Sequence, residues 1–477
     1  MRRPVLRSLA CAATATILLA ASASPSSADP TGPAGPANTA QATPPNLRPL
    51  PGQVIDGVDR IVPPATIPTL KTIPQRAQAP GYSHATLELR NAVLPSPVGD
   101  PMFDRWPAGL DKRKPGDVLA TRDVSGTAGF LVTVPIARAT MLKYRSTDVQ
   151  GQPIFGTATV IEPREAWHGP GDRPILVNNV PINGLGVKCT AGYTLAHGLS
   201  DKTNQTDLFP PTTQWALSRG YTVIVPDHEG PREAYAEPTM AGHIVLDAIR
   251  AAAKYAPAKY AASRVAVTGY SGGAIATDGT AKVLADYAPD LVPRMVGAAL
   301  GGVPADFRML AGAMNENVAT GVMLAATLGV ARERPEILDM ANNLGAQLAT
   351  STFKDSCGSS YGLAAPFQLP AQLLSSDPDP FNSAVAEHIY RVTQMADKKS
   401  AVPLYIYHGA QEIWIPAQGA RNLYAEQCRL GANATYREVL GEHLSAALIG
   451  YPGVLDWLDA RLRGVPATSE CPKPKAS

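Results

Sequence analysis

The segment RVAVTGYSGGAIATDGTAKVLADYA, which begins at Arg264, constrains the fold more than any other part of the chain. A short β-type run, VAVT, meets Gly269-Tyr270-Ser271-Gly272-Gly273 and passes at once into a long alanine-rich, helix-forming stretch. A strand that turns directly into a helix is half of a crossover unit, and crossover units build parallel sheets. The surrounding sequence repeats the rhythm. IFGTATVIEP, RPILVNN and GYTVIVPD read as strands, residues 241–255 and 274–287 as helices, and VPLYIYHG as a late strand. An α/β fold with a mostly parallel central sheet follows. Residues 304–385 break the alternation with helical stretches such as ATGVMLAATLGV and no clear strand, which predicts a helical cap inserted into the sheet.

A chain of 477 residues, 45% of them hydrophobic, has enough material for a large core and such an insertion. The core is expected over 76–303 and again over 386–477. A net charge of +2 without a long basic run gives no footprint for nucleic acid, and the short charged cluster at 332–336 reads as a solvated helix face. Arg2, Arg3 and Arg7 precede an apolar run over 9–21, and small residues follow that suit cleavage after Ala23 or Ala28. Residues 1–28 therefore read as a cleavable export signal, and Arg2-Arg3 suits either the general or the twin-arginine route. The run is too short to anchor the chain in a membrane, and Cys11 sits at its start, not at its end where a lipoprotein cysteine belongs. A secreted monomer without a transmembrane anchor is expected. Residues 29–75, rich in Pro, Ala and Thr, read as a leader or linker unable to order itself. Four cysteines remain after the signal: Cys189, Cys357, Cys428 and Cys471. An even count in an exported chain points to two disulfides, with three connectivities open and free buried thiols as the alternative.

Gly-x-Ser-x-Gly fixes only three positions in a chain with 41 glycines. A second match, centred on Ser360, follows STFKDSC and soon meets Pro366. Only Ser271 has strand–turn–helix context, the setting that exposes a nucleophilic serine on a sharp turn. A serine hydroxyl needs a histidine to take its proton and an acid to orient that histidine. Three histidines follow Ser271. His388 lies in a helix-like segment, where a surface or packing role is ordinary, and His408 lies inside a strand, where it packs or bonds near the strand end. His443 opens a final helix and is the candidate base. Glu412, just past the strand PLYIYHG, is the candidate acid; no Asp occurs between Gly409 and His443. Asp227, His228 and Glu229 end another strand and read as structural residues that orient loops.

The stretches KYRSTDVQGQP, RGYTVIVPDHEGP, LDAIRAA, VAVTGYSGGAIAT, YAPDL, YHGAQEIWIP and HLSAALIGYPGVLDWLDARL together resemble the secretory lipase family, a branch of the α/β-hydrolases, from about residue 100 to 471. The resemblance implies an α/β-hydrolase fold and a serine esterase that needs no cofactor or metal and acts on ester or lipid substrates, acylglycerols foremost, at a lipid–water surface. It carries over Ser271 as nucleophile and His443 as base. It places Glu412 where the family usually has Asp. The oxyanion hole would use the N–H of Gly272 and the loop NNVPINGLGVKC, in which Asn183 stands at the position of the family's Asp. Chain order and the resemblance together suggest that Cys189 pairs with Cys357, tying cap to core, and Cys428 with Cys471. Met309, Met314, Met323 and Met340 lie in the insertion, as flexible lining for acyl chains or as ordinary helix-core residues. A short-chain or polyester esterase, and a non-catalytic protein of the same fold that binds lipid or cell-wall material, are the alternatives.

Overall fold

The structure is a computed structural model that describes residues 45–181, 184–200, 211–358 and 369–472. Nine strands form one sheet: β1 (Val118–Asp123), β2 (Ile136–Thr147), β3 (Pro153–Pro163), β4 (Ile175–Asn179), β5 (Thr222–Pro226), β6 (Val265–Tyr270), β7 (Met295–Gly301), β8 (Leu404–Gly409) and β9 (Ala434–Val439). Their order is β1-β2-β3-β5-β4-β6-β7-β8-β9. The first three strands meander antiparallel, and β3 joins β5 antiparallel. From β5 to β9 every pairing is parallel. β4, β5 and β6 are buried along their whole length. Helices cover both faces of a parallel sheet, so its strands read as unbroken apolar runs.

One face packs helices Pro238–Tyr255 and Gly272–Tyr287, with Ile244, Ile249, Val283 and Leu284 buried against Val177, Val267 and Leu300. The other packs helix His443–Leu462 through Ala447, Val454, Leu458 and Leu462 against Ala266 and Ala299. The chain leaves β4 for β5 on one side and then crosses to β6 on the other. Such a reversal opens a crevice beyond the carboxyl ends of the strands, and Ser271 follows β6 there.

Between β7 and β8 the chain forms the helical cap, which includes helices Phe307–Met314, Thr320–Glu333, Asn343–Thr350 and Ala384–Gln394. The described residues of this stretch contain no strand, only one isolated bridge between Ala341 and Ser375. Two expectations are corrected here. From Pro45 on, the segment read as a linker is ordered on the cap. Asn46 donates to the Gly312 carbonyl at 2.7 Å, Gln372 donates to the Asn46 and Arg48 carbonyls, and Asn343 bonds Asp59 and Val62. Helix Gly52–Ile61 follows, and Leu47 and Ile55 are buried. Composition misses this because the hold is made largely by hydrogen bonds between segment and cap, with Leu47 and Ile55 alone buried within 46–64, which leaves little apolar pattern to read. Second, the cluster at 332–336 is not a solvated face at its start, since Arg332 and Glu333 are fully buried. The Arg332 guanidinium donates to the carbonyls of Val93, Leu185, Arg232, Glu233 and Lys354, and Glu333 pairs with Arg232 at 2.8 Å. Buried charges persist only when so compensated.

The disulfides are Cys189–Cys357 and Cys428–Cys471, closing separations of 168 and 43 residues. In the chain-entropy picture loops of these lengths stabilise by roughly 5 and 4 kcal/mol. No helix among the described residues is long and apolar enough to cross a membrane. Residues 1–44, including the expected signal and the two cleavage positions, lie outside the described residues.

Candidate active site

Ser271 sits between β6 and the helix Gly272–Tyr287 with φ 53° and ψ −120°, a conformation side chains avoid. Two glycines make the turn possible. A Cβ at Gly269 would lie 2.2 Å from the Gly273 carbonyl oxygen, and one at Gly273 would lie 1.9 Å from that of Asn179 on β4. The Ser271 N–H donates to the Gly301 carbonyl on β7 at 2.9 Å, pinning the turn to the sheet. Strain held this way keeps the hydroxyl projecting over the crevice.

His443 is the first residue of its helix. Glu442 caps that helix by accepting from the N–H groups of Leu444 and Ser445, and the Ser445 hydroxyl accepts from the Glu442 N–H at 3.0 Å. This reciprocal cap fixes where the helix begins. The loop after β8 is tied to the same point: Gln411 N–H donates to the Gly441 carbonyl, and the Gln411 side chain accepts from the Gly441 N–H. On its far side the loop is closed by His408, whose Nε2 donates to the Ile415 carbonyl at 2.7 Å. Burial lowers the His408 pKa and keeps the ring neutral. The sequence reading of His408 as a strand-end bonding residue matches this contact.

These ties bring Glu412, His443 and Ser271 together. Glu412 Oε2 lies 2.6 Å from His443 Nδ1, and His443 Nε2 lies 2.9 Å from Ser271 Oγ. A carboxylate only accepts, so Nδ1 carries the proton and Nε2 is left to accept from the serine hydroxyl. The Glu412 side chain has no solvent exposure. Burial pushes its carboxyl pKa up, but the His443 contact and the Trp414 N–H outweigh that and hold it below the ordinary range. The acid therefore stays ionised. Tyr270 adds a support that the sequence reading missed, its hydroxyl donating to the His443 carbonyl while its ring lies 5.1 Å from the imidazole. Only the three-dimensional approach of β6 to the last helix reveals it.

Gly272 begins its helix, so its N–H is one of the donors left without a carbonyl partner inside the helix. Asn183 and Ser360 lie outside the described residues. The stems of the Asn183 loop are held on both sides. Val180 O accepts from His228 Nε2 at 2.9 Å, while Leu185 N–H donates to Ser356 O at 2.9 Å. Burial drops the His228 pKa to about 4, so the ring is a neutral donor. Asp227 accepts from Gly192 N–H and the Thr157 hydroxyl. The structural reading of Asp227 and His228 thus acquires a purpose, since both brace the loop region beside Ser271.

Glu229 and Glu233 lie beneath, both fully buried. Burial first, and the neighbouring carboxyls second, raise the pKa of each, which favours their protonated forms. The folded chain therefore keeps a proton that the unfolded chain releases once pH passes the ordinary carboxyl range. Stability is greatest below that range and falls as pH rises through the raised folded value. Glu229→Gln keeps the shape of the side chain and removes one of the two titrations. Between pH 5 and pH 9 the wild-type chain is expected to lose up to about 1.4 kcal/mol per pH unit more than the variant. Denaturant unfolding at both pH values checks this, and equal losses would remove the pair from the pH response.

Ser271 and His443 open into a cavity of about 460 Å³ beneath the cap. Its wall is mainly apolar, with Ile275, Phe307, Leu328, Phe381 and Trp414 among the lining side chains. Met314, Met323 and Met340 also line it, whereas Met309 does not number among the lining residues. This arrangement places a serine hydroxyl, hydrogen-bonded to an imidazole, at the mouth of a mainly apolar space.

Comparison with known proteins agrees with this architecture. The family model for secretory lipases matches residues 197–470. Lipase 1 of Candida albicans is 27% identical over 401 residues, covering 80% of this chain and 84% of that one. A probable inactive lipase of Mycobacterium tuberculosis is 30% identical over 386 residues, covering 80% and 86%. The solved structure of Candida antarctica lipase A in its closed state superposes with a TM-score of 0.70 at 27% identity, over 81% of this chain and 91% of that one. With its mixed nine-stranded sheet, helical cap and serine on the turn after β6, the chain belongs to the secretory lipase family of α/β-hydrolases.

Proposed function

We propose that the protein is a secreted serine hydrolase that cleaves carboxylic esters, acylglycerols foremost, through an acyl-enzyme on Ser271. The hydrogen-bonded series Glu412–His443–Ser271, opening on the apolar cavity, carries this reading. Ser271 Oγ attacks the ester carbonyl carbon as its proton passes to His443 Nε2, and the carbonyl π pair moves to oxygen. The Gly272 N–H and a donor from Asn183 hold that oxyanion. Preorganised donors of this kind are worth about 3–4 kcal/mol each. Glu412 balances the imidazolium, which then gives its proton to the leaving alkoxy oxygen as the C–O bond breaks. Water repeats the steps on the acyl-enzyme, releasing the acid and restoring Ser271.

A fluorophosphonate probe tests the reading. A single adduct on Ser271 supports it, and an unlabelled chain would favour the non-catalytic alternative, to which the name of the mycobacterial relative gives some weight. Turnover measured across ester chain lengths separates a lipase from a short-chain esterase. Rates that rise with acyl length match the cavity, and confinement to acetyl esters would favour the narrower enzyme.

A further inference from the structure

Apart from Ser271, the cavity wall carries the hydroxyls of Tyr235, Tyr270, Thr327, Ser375 and Tyr390. Tyr270 donates to the His443 carbonyl, Thr327 to that of Met323 at 2.9 Å, Ser375 to that of Met340 at 3.1 Å and Tyr390 to that of Phe381 at 3.3 Å. A hydroxyl engaged in this way has no proton left for a ligand. Tyr235 differs. It is only 7% exposed, yet its hydroxyl has no hydrogen-bond partner among the described residues. The Trp414 indole N–H is also unpartnered, but it is enclosed, whereas the Tyr235 hydroxyl is not. Burial, and then the nearby Glu229, raises the Tyr235 pKa, so the phenol keeps its proton and can donate.

The backbone that presents Tyr235 is strained on both sides. Glu233 has φ 50° and Ala236 has φ 69°, left-handed values that side chains disfavour and that persist only where the surroundings fix them. The cap helix Thr320–Glu333 supplies part of that hold, since a Cβ at Gly329 would lie 2.4 Å from the Tyr235 carbonyl oxygen. The Ala234 N–H donates to the Glu229 carbonyl at 2.8 Å, and Arg334 pairs with Glu237 at 2.6 Å. Tyr235 also shares a buried apolar cluster with Ile275, one helical turn beyond Ser271. We propose that Tyr235 reads a hydroxyl on the substrate's acyl chain, so that the protein prefers hydroxylated acyl groups to plain hydrocarbon ones. A phenol both donates and accepts, and a chain hydroxyl matches both roles. A plain chain instead leaves the phenol unpaired in an apolar chamber, and a site built that way rejects the analogue that lacks the partner. The proposal rests on the reading of Ser271 as an ester-cleaving nucleophile, and the experiment separates the two.

Turnover is measured on umbelliferyl esters of one acyl length, either plain or carrying a single hydroxyl moved stepwise along the chain. At the position that reaches Tyr235, the wild-type chain should favour the hydroxylated ester about tenfold in kcat/KM, the discrimination that one hydrogen bond supplies. Tyr235→Phe should bring that ratio to about one. Phenylalanine keeps the packing of the ring, and because both esters are read on one preparation, any loss of folded protein cancels. Thr327→Val removes a hydroxyl already bonded within its own helix and should leave the ratio as in wild type. No preference at any position, a preference that survives Tyr235→Phe, or an equal loss in Thr327→Val would overturn the proposal. Binding is read without catalysis on the full chain carrying Ser271→Ala, with the free fatty acids as probes. It should hold the matching hydroxylated acid about tenfold more tightly than the plain one, and adding Tyr235→Phe should make the two alike. If the wild-type chain cleaves no ester while that binding difference holds, the Tyr235 subsite stands and the hydrolase reading fails. Ester cleavage without preference, together with equal binding of the two acids, does the reverse.

Discussion

Ser271→Ala should abolish ester hydrolysis and fluorophosphonate labelling, with turnover down by roughly six orders of magnitude, as for loss of the nucleophile in other serine hydrolases. The fold should survive. Alanine tolerates φ 53° no worse than serine, the backbone bond to Gly301 remains, and the hydroxyl's one partner, His443, belongs to the reacting set. Ser271→Gly should be equally inactive and more stable than the alanine variant by about 1 kcal/mol, because glycine relieves the strained turn. Thermal unfolding alongside a short-chain ester assay checks both. Retained activity in Ser271→Ala would move the chemistry elsewhere, with Ser360 the next residue to substitute.

Glu412→Gln should lower turnover by roughly three to four orders of magnitude with little change in fold. The amide can turn its NH₂ toward Nδ1, which shifts the ring proton to Nε2 and leaves no base facing Ser271. It also removes the charge that balances the imidazolium. Glu412→Asp tests reach instead of charge. The shorter side chain is a methylene away from a contact now at 2.6 Å, in a loop fixed by Gln411, His408 and the Trp414 N–H, so partial activity is expected. Near-full activity in Glu412→Gln would make Glu412 an ordinary loop residue. Two other acids beside the cap are already engaged: Asp306 caps helix Phe307–Met314, and Asp379 accepts from Asn382.

The sheet's parallel half was legible because each buried strand and its helix carry their own period. β4, β5 and β6 fall where RPILVNN, GYTVIVPD and RVAVTG place them. Ser271 was legible for the same local reason, since strand, glycines and helix are contiguous. Glu412 and His443 required chain order and family resemblance as well, because nothing in a single loop says that it meets another. The remainder depends on contacts between distant segments. Arg332 looks solvated until its five carbonyl acceptors are assembled from across the chain. The proline-rich stretch after Pro45 looks formless until the cap supplies its partners. Tyr270 gives no sign, in sequence, of its bond to the His443 backbone.

The hold of residues 46–64 on the cap fixes an order of events during synthesis. Asn46 bonds groups 266 and 326 residues further along the chain. This segment emerges early and waits through most of translation before its docking surface exists. Contacts of such long range form late. Until they do, Ala311, Met314 and Met323 of the cap lack the cover of Leu47, which packs with them, and exposed apolar surface of that kind is where nascent chains associate wrongly. The same segment would then act as a timer, clasping the cap only after the cap itself has been made.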